Sequence, residues 1–225
     1  MIEKNIVIRD LGIQDYLTCW QAMQSFTDQR DEHTSDEIWC LQHSPVFTQG
    51  QNGKPEHILN TSHIPVLQVD RGGQVTYHGP GQLVIYPLVN LKRKKLNIRE
   101  FVTLLENTMI QVLSDYHISA HARRDAPGVY INDTQKIGSI GLRVRRGCSY
   151  HGLALNIDMD LQPFSQINPC GLSQITMTQL SQWIVKPDIN VIAQQLISYL
   201  VKHLGYTTLT YQQDTYHGIK SETAC

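Results

Sequence analysis

Lys4–Arg9 predicts a first strand. From Ile13 to Arg30 the apolar residues Leu17, Trp20, Met23 and Phe26 recur near the helical period, which predicts a helix. Glu37–His43 alternates, with Ile38, Cys40 and Gln42 on one side and Trp39 and Leu41 on the other, and Ser44-Pro45 ends that strand. Thr48–Pro55 is polar and glycine-containing and predicts a loop; Ile64–Asp70 and Gln82–Asn90 predict two further strands. The clearest helix is Ile98–His117, whose stripe of Ile98, Phe101, Val102, Leu105, Met109, Val112, Leu113 and Tyr116 reads as core packing. Ala126–Asn132 and Gln135–Arg146 predict strands joined by a turn at Asp133-Thr134, Tyr150–Asp158 another strand, and Pro163–Leu172 an irregular segment. Asp188 as N-cap and Gly205 as C′ bracket a last helix. Strands outnumber helices without βαβ alternation. The expected fold is α+β, a mixed, largely antiparallel sheet flanked by helices, in one domain over residues 1–225.

One stretch departs from these periodicities: Arg71-Gly-Gly-Gln-Val-Thr-Tyr-His-Gly-Pro-Gly-Gln-Leu-Val-Ile-Tyr-Pro87. Glycine serves where the backbone takes positive φ or passes close to another group. The stretch therefore reads as a loop whose backbone lines a ligand, or as a tight hairpin corner. It is not a dinucleotide fingerprint, because Val84 occupies the third glycine position and a strand follows. No phosphate-binding G-x-x-x-x-G-K-[ST] occurs either.

Composition narrows the classes. Of 225 residues, 41% are apolar and 17% charged, which argues against disorder, and a net charge of −1 gives no field for nucleic acid. No run reaches a membrane-spanning length, and the N-terminus lacks a signal-peptide core. Five cysteines without C-x-x-C spacing suggest reduced thiols and a cytoplasmic setting. Neither a metal nor a cofactor is expected.

Cys170, held in Pro-Cys-Gly outside any periodic element, is a candidate nucleophile; Cys40 reads as a buried small hydrophobe. His78, His151 and Lys136 are the candidate activators, and the sequence does not choose between them. Gly138-Ser-Ile-Gly141 suits either backbone N–H groups aimed at an oxyanion or an ordinary turn or bulge. Lys92–Lys95 is either solvated charge or a docking patch for an acidic partner, and Arg143, Arg145 and Arg146 are solvent charges or meet a phosphate or an acidic protein.

Taken together, Arg71–Leu83, Lys136-Ile-Gly-Ser-Ile-Gly-Leu-Arg-Val-Arg-Arg-Gly147, His151-Gly-Leu-Ala-Leu-Asn156 and Asn168-Pro-Cys-Gly-Leu172 resemble the lipoyl(octanoyl) transferase family. The resemblance implies the α+β fold shared with biotin and lipoate protein ligases. It implies Cys170 as acyl-thioester nucleophile and Lys136 as the lysine that favours the thiolate and serves as acid/base. It implies an acyl substrate lined by Arg71-Gly72-Gly73-Gln74-Val75-Thr76-Tyr77-His78, Ser139-Ile140-Gly141 and Gly152-Leu153-Ala154. The implied partners are octanoyl-acyl carrier protein as donor, and lipoyl domains of 2-oxoacid dehydrogenases and the glycine cleavage H protein as acceptors. Two rival readings are an ATP-dependent lipoate or biotin ligase, against which the Pro-Cys-Gly loop argues, and a non-catalytic binding module on the same scaffold.

Overall fold

A computed structural model describes residues 4–61, 63–168 and 175–212. In chain order the elements are β1 (Asn5–Gln14), α1 (Tyr16–Gln29), β2 (Asp36–His43), β3 (Val46–Gln49), β4 (Val66–Gln68), β5 (Val75–His78) and β6 (Gln82–Leu88). Then come α2 (Leu91–Lys94), α3 (Ile98–Asp115), β7 (His121–Ala122), β8 (Gly128–Tyr130), β9 (Gln135–Arg145), β10 (Cys148–Asn156), β11 (Thr176–Met177), α4 (Ile189–His203) and β12 (Thr208–Gln212).

The main sheet runs β12-β1-β2-β6-β10-β9-β8-β7, with β11 beside the start of β9. Its centre and the β7 side are antiparallel, while β12, β1 and β2 pair in parallel and so does β11 with β9. A small second sheet, β4-β3-β5, stands apart. The expected α+β fold with a mixed, largely antiparallel sheet is therefore what forms. No helix among the described residues is long and apolar enough to cross a membrane.

Strand alternation sorts the two faces. Ile38, Ile85, Leu153 and Leu155 point to α3 and α4 and meet Phe101, Leu105, Met109, Ile192 and Leu196. Trp39, Leu41, Val84 and Tyr86 point the other way, to Cys19, Met23 and Phe26 of α1. Each large apolar side chain so buried contributes about 1.5–3 kcal/mol.

Three local differences from the expected elements have physical causes. The first helix starts at Tyr16, because Asp15 caps it by accepting from the Thr18 N–H; Ile13, outside the helix, is an exposed residue near the end of β1. Thr48-Gln49, the end of β3, and Val75–His78 are strand rather than loop, since each supplies the other's ladder partner, Thr48 opposite Thr76. The basic cluster 92–95 is partly internal. Arg93 binds the fully buried Asp36 at 2.7 Å, and Lys94 donates to the Leu204 carbonyl at 2.9 Å with its ammonium over the Tyr206 ring. Lys92 and Lys95 remain exposed. Arg145 pairs with Asp28 at 3.1 Å, and Arg146 donates to the Asp28 carbonyl.

The last helix carries its expected caps. Asp188 accepts from the Asn190 and Val191 N–H groups, and Gly205 follows with φ 70°. Cys19, Cys40 and Cys148 are buried free thiols.

Candidate active site

A cavity of about 390 Å³ opens between the sheet, α1 and the loop that precedes β5, a size typical of small-ligand sites. Its floor is open because small residues face one another on adjacent strands. Ser139 lies opposite Ala154, and Gly141 opposite Gly152. On the next strand the side chains grow to Val84 and Tyr86, and Tyr16 of α1 joins them. The Arg71–Thr76 segment forms the wall. The Gly72 N–H donates to the Leu142 carbonyl at 2.9 Å, and a Cβ on Gly141 would come within 2.9 Å of the Arg71 Cδ. Arg71 is itself buried and tied to the Thr48 carbonyl (2.6 Å), the Thr48 hydroxyl (2.8 Å) and the Gly72 carbonyl (2.9 Å). It braces the wall.

The three segments expected to line a substrate all border this cavity, with one side chain excepted. Tyr77 lies on β5, where alternation turns its ring to Phe47 and Phe164, outside the cavity lining. Lys136 also borders the cavity. Cys170 lies outside the described residues, as does Cys225.

Lys136 is 2% exposed. Its Nζ donates to the Pro127 carbonyl at 2.9 Å and stands 5.3 Å from the centroid of the Tyr130 ring. Beside it, Gly128 takes φ 138°, and a Cβ there would meet the Lys136 Cε at 2.6 Å and Nζ at 3.0 Å. The glycine makes room for the amine. Its N–H donates to the Glu106 carboxylate at 3.0 Å. β11 pairs Met177 with Lys136, so this end of the cavity is closed by sheet.

The opposite end is lined by two phenols and two buried histidines, with His43 packed behind the phenols. Tyr16 lies 4.8 Å from the His43 ring and 5.6 Å from the His78 ring, and its hydroxyl meets His151 Nδ1 at 3.3 Å. The Tyr86 hydroxyl meets His43 Nε2 at 2.7 Å. Burial pushes the His43 imidazole down to about 4, and burial, with His43 as neighbour, takes His78 well below its ordinary value. His151 is also lowered by burial, although it donates from Nε2 to Asp70 at 2.9 Å. For Asp70, burial opposes ionisation but is outweighed by hydrogen bonds from His151, Tyr150 and Trp20, so the carboxylate stays charged and the imidazole neutral. His78 and His151, the conventional activators, thus sit as neutral rings with Tyr16, while Lys136 occupies the other end.

His151 takes φ 56° inside β10. The register brings Pro87 of β6 level with it, and proline has no N–H to offer the ladder. The ladder is interrupted there, and His151 adopts a left-handed conformation costing roughly 1–3 kcal/mol.

Gly138–Gly141 is not a turn but the middle of β9, and the register against β8 shifts at its start, between Lys136 and Gly138. β8 pairs Val129 with Gly138 and ends at Gly128 opposite Ser139. The next position is Pro127, which has no N–H. Because Leu142 directs its carbonyl away from β10 to Gly72, Ile140, two residues back, presents its peptide groups on the same edge, towards the cavity.

Sequence reasoning missed Glu106, Gly128, Tyr16 and Asp70. The one legible signal was a carboxylate inside the apolar stripe of α3. His117 and His121 are four residues apart, yet among the described residues no group of three His, Cys, Asp or Glu side chains is placed to hold a metal.

Comparison with known proteins gives the family. A family profile described as the lipoyl protein ligase A/B catalytic domain matches residues 15–201. The octanoyltransferase of Vibrio vulnificus is 55% identical over 95% of this chain and 97% of its own, and that of Enterobacter sp. strain 638 is 58% identical over 91% and 96%. Among solved structures, lipoate-protein ligase A bound with ATP superposes with a TM-score of 0.75 at 13% identity, covering 95% of this chain and 89% of that one. A bipartite lipoate protein ligase from Thermoplasma acidophilum, described with its E2 lipoyl domain, gives 0.73 at 14% identity over 96% and 88%. Biotin protein ligase from Aquifex aeolicus gives 0.54 at 12% identity over 90% and 71%. This chain is a member of the lipoyl protein ligase A/B catalytic domain family, and of the octanoyltransferases within it.

Proposed function

We propose that this octanoyltransferase takes its acyl group from octanoyl-acyl carrier protein, holds it as a thioester on Cys170, and passes it to a lysine amine of a lipoyl domain. The acceptors would be the lipoyl domains of 2-oxoacid dehydrogenases and the glycine cleavage H protein, and the setting the cytosol, where thiols stay reduced. The observation that carries this reading is a buried lysine at one end of a cavity whose floor is cleared by Ser139, Gly141, Gly152 and Ala154.

The size of the slot supports an eight-carbon chain. From β9 across β10 to β6 is two strand spacings, about 10 Å. With C–C bonds of about 1.5 Å, an extended octanoyl chain spans roughly 9 Å. Its tail would end against Tyr16, Val84 and Tyr86, and its carbonyl would lie towards Lys136 and the Ile140 N–H.

In the first half-reaction Lys136, as the ammonium, holds the proton of Cys170, which reacts as the thiolate. The thiolate attacks the donor thioester carbonyl, and the carbon–sulfur bond to the carrier's thiol breaks as the departing sulfur takes the proton of Lys136, which is left a neutral amine. In the second, the acceptor amine attacks the Cys170 thioester, an amide forms, the carbon–sulfur bond to Cys170 breaks, and the amine's proton passes to Lys136. Thioester exchange is nearly isoenergetic and amide formation is downhill, so neither step needs ATP. The Ile140 N–H is the donor we assign to the developing oxyanion.

The test mixes the enzyme with octanoyl-acyl carrier protein and weighs it intact. An octanoyl-sized adduct is expected, lost on thiol treatment and absent in Cys170→Ala. An adduct that survives in Cys170→Ala sinks the thioester assignment. Product formed from octanoate and ATP without carrier protein would favour the ligase reading.

A further inference from the structure

Glu106 is out of place in the core it occupies. It lies beside Leu105 and one turn before Met109 and Ile110 on α3, and is 6% exposed. Packing would be served as well by leucine, and a buried carboxylate is costly unless it is hydrogen-bonded. Burial lifts its carboxyl above the ordinary value, and the Gly128 N–H and the charge of Lys136 pull it back.

Its partner explains its position. The Gly128 N–H that donates to Glu106 at 3.0 Å and the Pro127 carbonyl that accepts from Lys136 at 2.9 Å belong to one peptide group. That group is planar, so its N–H and C=O point in fixed, opposite directions. Fixing the N–H from one side therefore aims the carbonyl on the other. A carboxylate on the N–H also polarises the peptide and strengthens the carbonyl as an acceptor. Without such a clamp the peptide is free to turn, because Gly128, at φ 138°, is the residue type with the most backbone freedom.

We infer that Glu106 is a positioning residue for Lys136, acting through the Pro127–Gly128 peptide: the glutamate holds one edge of the peptide and the amine rests on the other. This rests on the role proposed above for Lys136. Glu106 touches neither substrate nor reacting atoms in this account. Its effect is on where the Lys136 ammonium stands, and displacement by an ångström can cost about a hundredfold in rate.

The experiment compares Glu106→Gln, Glu106→Asp and Glu106→Leu with the parent for octanoyl transfer, alongside Lys136→Met. Glutamine keeps an acceptor at the same reach. Aspartate falls one methylene short, and leucine removes the acceptor. The expected result is kcat within about threefold of the parent for Gln, and lowered about ten- to a hundredfold for Asp and Leu, with KM for the acyl donor changed less than about threefold throughout. Should leucine fail to fold, aspartate carries the same test. Parental kcat in folded Asp and Leu variants overturns the inference, and so does a Gln variant as impaired as Leu. A Lys136→Met enzyme that keeps parental kcat instead overturns the role given to the lysine, which is a separate failure.

Discussion

At one end of the cavity a buried ammonium rests on a peptide carbonyl that a glutamate holds from behind; at the other, buried imidazoles rest on phenols. The difference lies in the protons. His43 directs Nδ1 at the Gln14 carbonyl, so that nitrogen carries the hydrogen and Nε2 accepts from Tyr86. His151 donates from Nε2 to Asp70, so Nδ1 accepts from Tyr16. Both imidazoles are neutral, and both hydroxyl protons are turned away into the network. That end offers a chain little but fixed rings and small aliphatic groups. The lysine end places a cationic side chain beside the cavity. In the proposed reaction the first end moves protons and the second stops a hydrocarbon.

The largest expected effect is at the charged end. Lys136→Met should lower octanoyl transfer by about 10²–10⁴-fold, the usual worth of a positioned acid/base. Steady-state rates with carrier-bound donor measure it. A loss smaller than fivefold would mean that the proton is handled elsewhere, with the histidine end as the first place to look.

Next is acid stability, which belongs to the neutral end. His43 titrates near 4 in the folded protein against about 6.5 unfolded, so the unfolded chain takes up the proton first. The stabilisation is present above pH 6.5 and is lost as the pH falls towards 4. At about 1.4 kcal/mol per unit it amounts to roughly 3 kcal/mol. His78 and His151 act in the same direction, whereas Asp70 and Asp36, both held low, contribute at lower pH. Chemical unfolding between pH 7 and 4 should show this decline, and His43→Gln should flatten it. An unchanged slope in that variant would place the acid-sensitive group elsewhere.

A smaller effect concerns where the acyl tail stops. Val84→Ala should lengthen the slot and Ala154→Val shorten it, moving the preference between octanoyl and decanoyl donors in opposite directions. Two methylenes correspond to about 1.6 kcal/mol, or roughly fifteenfold in relative kcat/KM. Both variants keeping the parental ranking would show that the chain ends against other residues.

How much of this was legible in the chain follows from the distance over which each feature is decided. Most of the α3 stripe, the Asp188 and Gly205 caps and the β2 alternation are local, and they read correctly, whereas Ile98 at the start of the stripe is exposed and, with Val102, borders the cavity. The glycine and small-residue segments pointed to the cavity because open floor and close backbone approach leave a compositional mark at Gly72, Gly141 and Gly152. Glu106 was hidden because its partner is a backbone N–H twenty-two residues away, and backbone groups have no signature in sequence. The basic run 92–95 misled for a related reason. Arg93 and Lys94 find Asp36 and Leu204 only once the chain has folded. Pairing of β3 with β5 likewise depends on bringing Val46–Gln49 to Val75–His78, and each strand alone is too short to announce itself.

Tyr77 offers the smallest and sharpest check, because it sits in the middle of a segment whose other residues line the cavity. Its ring packs on Phe47 at 5.4 Å and edge-on to Phe164 at 5.5 Å, away from the slot. Tyr77→Phe preserves both ring contacts and should leave kcat/KM for octanoyl transfer within about twofold, with stability changed by less than about 1 kcal/mol. His78 shares the same short strand but borders the cavity, so His78→Phe should lower activity while Tyr77→Phe does not. If the two variants lose activity alike, the strand acts as a unit in shaping the wall, and the side-by-side division of β5 into a packing face and a cavity face is wrong.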